Sequence, residues 1–195
     1  MPLSHFYKCI FVHIPKTAGT SIEKILNTGT EKEFYSRTPP TLQHLSWKEL
    51  KNKIDFDYSN YYKFTVVRNP YERIVSEYEW RRTASPRVLN GMTFEELVNN
   101  IDLLKPLIHW DSHLNTQSSF LIDETGNIAS DIEIYKYENL SPLWDKLENI
   151  TKIPKSYFPK ASSSRRLTSD YYYTDALRKK VREQFNEDFV NFNYE

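Results

Sequence analysis

Between Lys16 and Ser21 the chain reads KTAGTS, which puts a cation, three hydroxyls and a glycine within six residues. The apolar run through Phe11 and Val12 leads into it, and Ile22, Ile25 and Leu26 then recur at helical spacing. A helix that starts at such a bend leaves its first N–H groups without acceptors and turns its positive dipole end toward the bend. Lys16 adds a full charge. Thr17, Thr20 and Ser21 add hydroxyl donors, and Gly19, beside Ala18, lets the backbone come close to a ligand. The shared chemistry is the holding of an anion, phosphate above all. This is not the Walker order, G-x-x-x-x-G-K-[ST]: here the lysine precedes the glycine. Taken alone, the stretch also reads as a plain strand-to-helix turn with a surface lysine.

A second stretch, FTVVRNPYERIVSEY, repeats the design. Arg68 follows an apolar run. Asn69 is placed as an N-cap, Pro70 as the first helical residue, and Glu72 to complete a capping box. Ser76 lies eight residues beyond Arg68, a little over two helical turns. A planar guanidinium matches phosphate oxygens, so Arg68 and Ser76 together suit a second phosphate. Separately they read as a structural ion pair and a solvent-facing serine.

The elements that must carry these residues follow from pattern. Strands are expected over Tyr7 to Ile14, Tyr62 to Val67 and Ile132 to Lys136. Helices are expected from Ser21, after the Ser46/Glu49 capping box, from Asn69 to about Arg82, and after Thr93 with Glu96. Two more run from Ser141 to about Ile150 and after Thr174, where Leu177, Val181, Phe185 and Phe189 form one stripe. Lys155 to Ser169 reads as a loop. Alternating strands and helices imply an α/β fold with a mainly parallel sheet, and such sheets bind ligands at the strands' carboxyl ends.

The 195 residues suit one domain over 1–195, and 15% aromatics argue for a folded chain. Lysine plus arginine equals aspartate plus glutamate, 26 each, so no global charge invites nucleic acid; an anion must be held locally. The lone Cys9 excludes an intrachain disulfide and reads as a small buried hydrophobe. With no leader or spanning run visible, a cytoplasmic, reducing location is expected.

At HIPKTAGTS and VVRNPYERIVSEY the chain resembles the sulfotransferases that use 3′-phosphoadenosine 5′-phosphosulfate, by motif the carbohydrate enzymes of the heparan 2-O and chondroitin 4-O type. The likeness continues more weakly through DSHLNTQSSFL, IEIYKYENL and LRKKVREQFNEDFVNFNY. It implies a P-loop-like, three-layer α/β fold with helices flanking the sheet. It implies that Lys16, Thr17, Ala18, Gly19, Thr20 and Ser21 hold the 5′-phosphosulfate and that Arg68 and Ser76 hold the 3′-phosphate. Lys160 and Arg165, in the Lys/Ser/Arg loop, would close over the nucleotide. No metal is implied. The chain lacks the extra cysteines of the Golgi enzymes.

Sulfuryl transfer to a hydroxyl needs a base and charge stabilisation at the bridging oxygen, which Lys16 suits. Of five histidines, His5 is expected to be exposed, His13 a packed support and His109 structural. His44 precedes Arg68 by 24 residues, similar to the base of the 2-O enzymes, and is the candidate base. His113 and Trp110 are candidates for acceptor binding. Trp80, Arg81, Arg82, Trp110 and Asp111 suit either a sugar platform or ordinary packing. The expected reaction is in-line transfer of a sulfuryl group to a hydroxyl, on a glycan or glycolipid. The alternatives are a nucleotide kinase-like phosphotransferase and a nucleotide-binding module without turnover.

Overall fold

A computed structural model describes residues 3–26, 42–107, 110, 112–159 and 168–195. In chain order the elements are β1 (Leu3–Ser4), β2 (Cys9–Val12), α1 (Gly19–Leu26), α2 (Trp47–Lys53), β3 (Tyr62–Val67), α3 (Pro70–Ala84), α4 (Pro86–Leu89), α5 (Phe94–Asn99), α6 (Ile101–Leu104), β4 (Glu133–Lys136), α7 (Ser141–Thr151), α8 (Asp175–Gln184) and α9 (Asn186–Asn191). The strands form one sheet in the order β1-β2-β3-β4. β2, β3 and β4 are parallel, with Val12 opposite Thr65 and Val67 opposite Lys136. β1, which the sequence pattern did not reveal, adds an antiparallel edge, with Leu3 opposite Ile10. The fold is mixed α/β with a mainly parallel sheet, as expected.

The chain groups into two compact units, one of Met1–Val67 with Gln117–Ser162, the other of Arg68–Thr116 with Ser163–Glu195. The first holds the sheet. Cys9 and Phe11 of β2 and Phe64 and Val66 of β3 face Ile22, Ile25 and Leu26 of α1 and Leu143 and Leu147 of α7. Phe11 stacks on Phe64 with ring centroids 5.1 Å apart. Alternation sends Ile10, Val12, Thr65 and Val67 to the opposite face, and all four are buried too. A strand buried on both faces needs the near-continuous apolar run seen here.

The second unit is helical. Ile74 and Val75 of α3 pack with Leu97 and Val98 of α5, Leu177 and Val181 of α8, and Phe185 and Phe189. The stripe is the expected one, but it crosses two helices. Phe185 leaves helical geometry (φ −116°, ψ 26°), ending α8 and opening α9 while its ring stays buried. The capping boxes at Ser46/Glu49 and Thr93/Glu96 form in full. The one at Asn69 does not. Asn69 accepts from the Tyr71 N–H at 2.9 Å, whereas the Glu72 carboxylate turns to Arg68, 3.8 Å from its Nη2.

Candidate active site

The loop after β2 is shaped by backbone strain. Lys16 and Ala18 both adopt left-handed geometry, φ 70° and 71°. For residues with a Cβ this costs roughly 1–3 kcal/mol each and persists only where the surroundings enforce it. Left-handed residues alternating with others turn successive N–H groups toward one centre, the arrangement of an anion nest. The Ala18 carbonyl accepts from the N–H of Ser21 at 2.9 Å and of Ile22 at 3.3 Å, which starts α1. Thr20 is exposed and Lys16 half-buried, so the loop offers a charge and a hydroxyl at its surface.

Two loop residues act differently from the expectation. The Thr17 hydroxyl is directed inward and donates to the Ile14 carbonyl at 2.8 Å, so Thr17 braces the loop. Gly19 has no positive φ. Its lack of a side chain instead makes room for His13: a Cβ there would lie 1.7 Å from the His13 Nε2.

His13 is buried, its ring stacked on Phe11 at 5.3 Å. Its Nδ1 lies 2.9 Å from Oε1 of Glu23, which is buried one turn into α1. A carboxylate only accepts, so Nδ1 carries the hydrogen. The same Glu23 oxygen accepts from the Gln43 side-chain amide at 2.8 Å. Gln43 neighbours His44 in the helical turn Leu42–His44, directly before α2. His44 is buried, with its Nδ1 2.9 Å from the main-chain carbonyl of His13 and its ring edge-on to the His13 ring at 4.5 Å. A carbonyl also only accepts. The Nδ1 of His44 therefore carries its hydrogen, and in the neutral ring the lone pair sits on Nε2. That is the tautomer a general base requires.

Arg68 follows β3 directly and is buried. Its Glu72 partner at 3.8 Å is an ion pair, too long for a hydrogen bond. Ser76, half-buried, lies one turn beyond Glu72 on α3. Farther along α3, Glu77 is fully buried and uses both oxygens. One accepts from Arg81 Nε at 2.6 Å and the other lies 2.8 Å from His113 Nδ1. His113 stacks on Trp80 at 5.5 Å, and the Arg81 guanidinium lies 4.5 Å over the Trp110 ring. Trp110 is 2% exposed, which makes it a core ring rather than an open platform. Arg73 donates through Nη1 to the His113 carbonyl at 3.2 Å and through Nη2 to that of Asn115, holding the segment that carries His113.

His44, His13 and the loop therefore meet in one unit; Arg68, Ser76, Trp110 and His113 belong to the other. Lys160, Arg165, His109 and Asp111 lie outside the described residues. His5 is exposed, 2.7 Å from the Tyr61 hydroxyl. Glu23, Gln43, Glu77 and Arg73 were not visible as site residues. Among the described residues, no three His, Cys, Asp or Glu are placed to hold a metal ion, and no helix is long and apolar enough to cross a membrane.

A family model described as the sulfotransferase family matches residues 3–195. No curated protein and no solved structure matches the chain.

Proposed function

The chain belongs to the sulfotransferase family and is a transferase of sulfur-containing groups; from that premise we propose that it moves a sulfuryl group from 3′-phosphoadenosine 5′-phosphosulfate to a carbohydrate hydroxyl, with His44 as base. The observation that carries the reading is the hydrogen bond from His44 Nδ1 to the His13 carbonyl. It leaves the lone pair of the neutral ring on Nε2, on a residue bonded to the end of the anion-suited loop. The family membership sets aside the kinase-like alternative.

In this reading the loop N–H groups, Lys16, Thr20 and Ser21 hold the 5′-phosphosulfate, with Thr17 and Gly19 shaping the loop. Arg68 and Ser76 hold the 3′-phosphate. A phosphate at direct hydrogen-bonding distance displaces the longer Glu72 contact. The acceptor oxygen attacks sulfur as the bond to the bridging phosphate oxygen breaks. Its proton passes to His44 Nε2, and Lys16 offsets the charge that develops on the departing bisphosphate. His113, its ring set by Glu77 and Trp80, binds the acceptor; buried Trp110 supports it through Arg81.

The test has two arms. Adenosine 3′,5′-bisphosphate should raise the melting temperature by ligand linkage without magnesium. Radiolabelled sulfate from the donor should then appear on one member of a panel of glycans and glycolipids. No shift at saturating nucleotide defeats the donor assignment. A shift with label appearing only on non-carbohydrate hydroxyls defeats the acceptor class.

A further inference from the structure

We infer that Glu23 is a positioning residue for the transfer reaction, acting through His13 and Gln43 on His44; this rests on the reading of His44 as base. Glu23 is 5% exposed, and a carboxylate so buried needs donors. Its Oε1 has two, His13 Nδ1 at 2.9 Å and Gln43 Nε2 at 2.8 Å. The first belongs to the residue whose main-chain carbonyl holds the Nδ1 hydrogen of His44. The second belongs to the residue bonded to His44. One carboxylate oxygen thus fixes both ends of the attachment that sets the His44 ring.

The His13 ring has no slack to absorb a change. Phe11 stacks on it, the His44 ring meets it edge-on, and the Nε2 side is closed by the backbone of Gly19, where even a methyl would overlap. If the Glu23 oxygen is lost, the His13 ring and the Gln43 side chain lose their common acceptor, and the hydrogen bond that selects the His44 tautomer loses its support. Glu23 itself acts by orientation, without contact to the reacting atoms.

The experiment compares Glu23→Ala with Glu23→Gln, which retains an oxygen where both donors point. One readout is the imidazole ¹⁵N shifts of His44, which report its tautomer. The second is release of adenosine 3′,5′-bisphosphate from the donor with heparosan and chondroitin oligosaccharides as acceptors, alongside the Kd for the bisphosphate. Glu23→Ala should mix the two His44 tautomers and lower kcat about 10- to 100-fold, as small misplacements of a reacting group do, with the bisphosphate Kd nearly unchanged. Glu23→Gln should restore the Nδ1–H tautomer and most of kcat. Should the alanine variant fail to fold, Gln43→Ala takes its place, with the same tautomer mixing expected. A folded alanine variant with the wild-type tautomer and kcat overturns the inference. Absence of turnover by the wild type on these oligosaccharides counts against the carbohydrate acceptor only, because the tautomer readout still decides the role of Glu23.

Discussion

Each unit holds a candidate site histidine by its Nδ1, but the holders of the two differ. His44 is bonded to a neutral main-chain carbonyl, and the carboxylate in its network, Glu23, stands one residue removed. His113 is bonded directly to the carboxylate of Glu77, which also binds Arg81, in a setting that includes the fully buried Arg73 and Asp188. The first network borders a strained loop with exposed and half-buried polar groups. The second ties α3 to the segment around His113 and Asn115 through buried charge. Buried charges contribute little net stability while paired and cost a great deal when one partner is removed. The difference implies a division of labour: damage to the first network should appear in turnover, and damage to the second in folding.

The largest effect tests the first half of that division. His44→Ala removes the proposed base, and general-base catalysis typically contributes 10²–10⁴-fold, so kcat should fall by about that factor. Affinity for the bisphosphate, measured by calorimetry, should barely change, because a base acts on the acceptor. Near-normal turnover would move the base to another histidine and dissolve the contrast.

Arg73→Ala tests the other half. Burial pushes the Arg73 guanidinium below its ordinary range, a cost that the charges of Asp188 and Glu77 oppose. Removing it leaves Asp188, which is fully buried, without that cation. It also leaves the His113 and Asn115 carbonyls without these donors; loss of a buried compensating charge costs roughly 3–5 kcal/mol, readable as a lower urea midpoint. A loss below about 1 kcal/mol, typical of surface pairs, would show that the second network is no strut.

Arg68 is the intermediate case, a buried cation proposed to serve a ligand. A charge-assisted hydrogen bond contributes roughly 1.5–3 kcal/mol, or about 10- to 150-fold in affinity. Wild-type protein should prefer adenosine 3′,5′-bisphosphate to AMP by that factor, and Arg68→Ala should erase most of the preference while AMP binding holds. Lysine should recover only part, since it keeps the charge and loses the fork. Equal wild-type affinity for both nucleotides would place Arg68 with the structural charges of α3.

What was legible in the sequence divides along the same lines. The loop, Arg68, the caps and the strands β2, β3 and β4 are local signals, each written within a few residues. His44 was singled out by resemblance, its place 24 residues before Arg68 being similar to that of the base in the 2-O enzymes. Its surroundings were not, because Glu23 and Gln43 reach His13 across 10 and 30 residues, and nothing local marks a glutamate as buried. The packing role of Gly19 was hidden for a related reason: the residue it accommodates is a histidine six positions earlier whose ring direction no pattern gives. β1 is two residues long, too short for periodicity to register. The break at Phe185 was hidden because the apolar stripe continues unchanged through it.

The smallest effect gives the sharpest comparison, because each unit carries the same motif. Ser46 accepts from the Glu49 N–H at 3.3 Å while Glu49 reaches back to the Ser46 N–H at 2.8 Å. Thr93 and Glu96 do the same at 3.2 and 2.8 Å. Replacing either cap by alanine should cost about 1 kcal/mol of stability, so stability alone does not tell the two apart. Turnover should. Ser46 lies two residues after His44, so Ser46→Ala loosens the helix start that follows the base and should lower kcat. Thr93 opens α5, which carries none of the proposed contact residues, and Thr93→Ala should leave kcat unchanged. The Thr93 box also has a pH signature. The Thr93 N–H and hydroxyl hold the Glu96 carboxyl below its usual range. A carboxyl lowered on folding stabilises above its unfolded pKa, and the contribution fades as pH falls from there through the folded value. The stability gap between wild type and Thr93→Ala should therefore narrow on acidification below about pH 4.5, the ordinary value for this group. Equal loss of kcat in both cap variants would mean that the helix start after His44 has no special hold on the base.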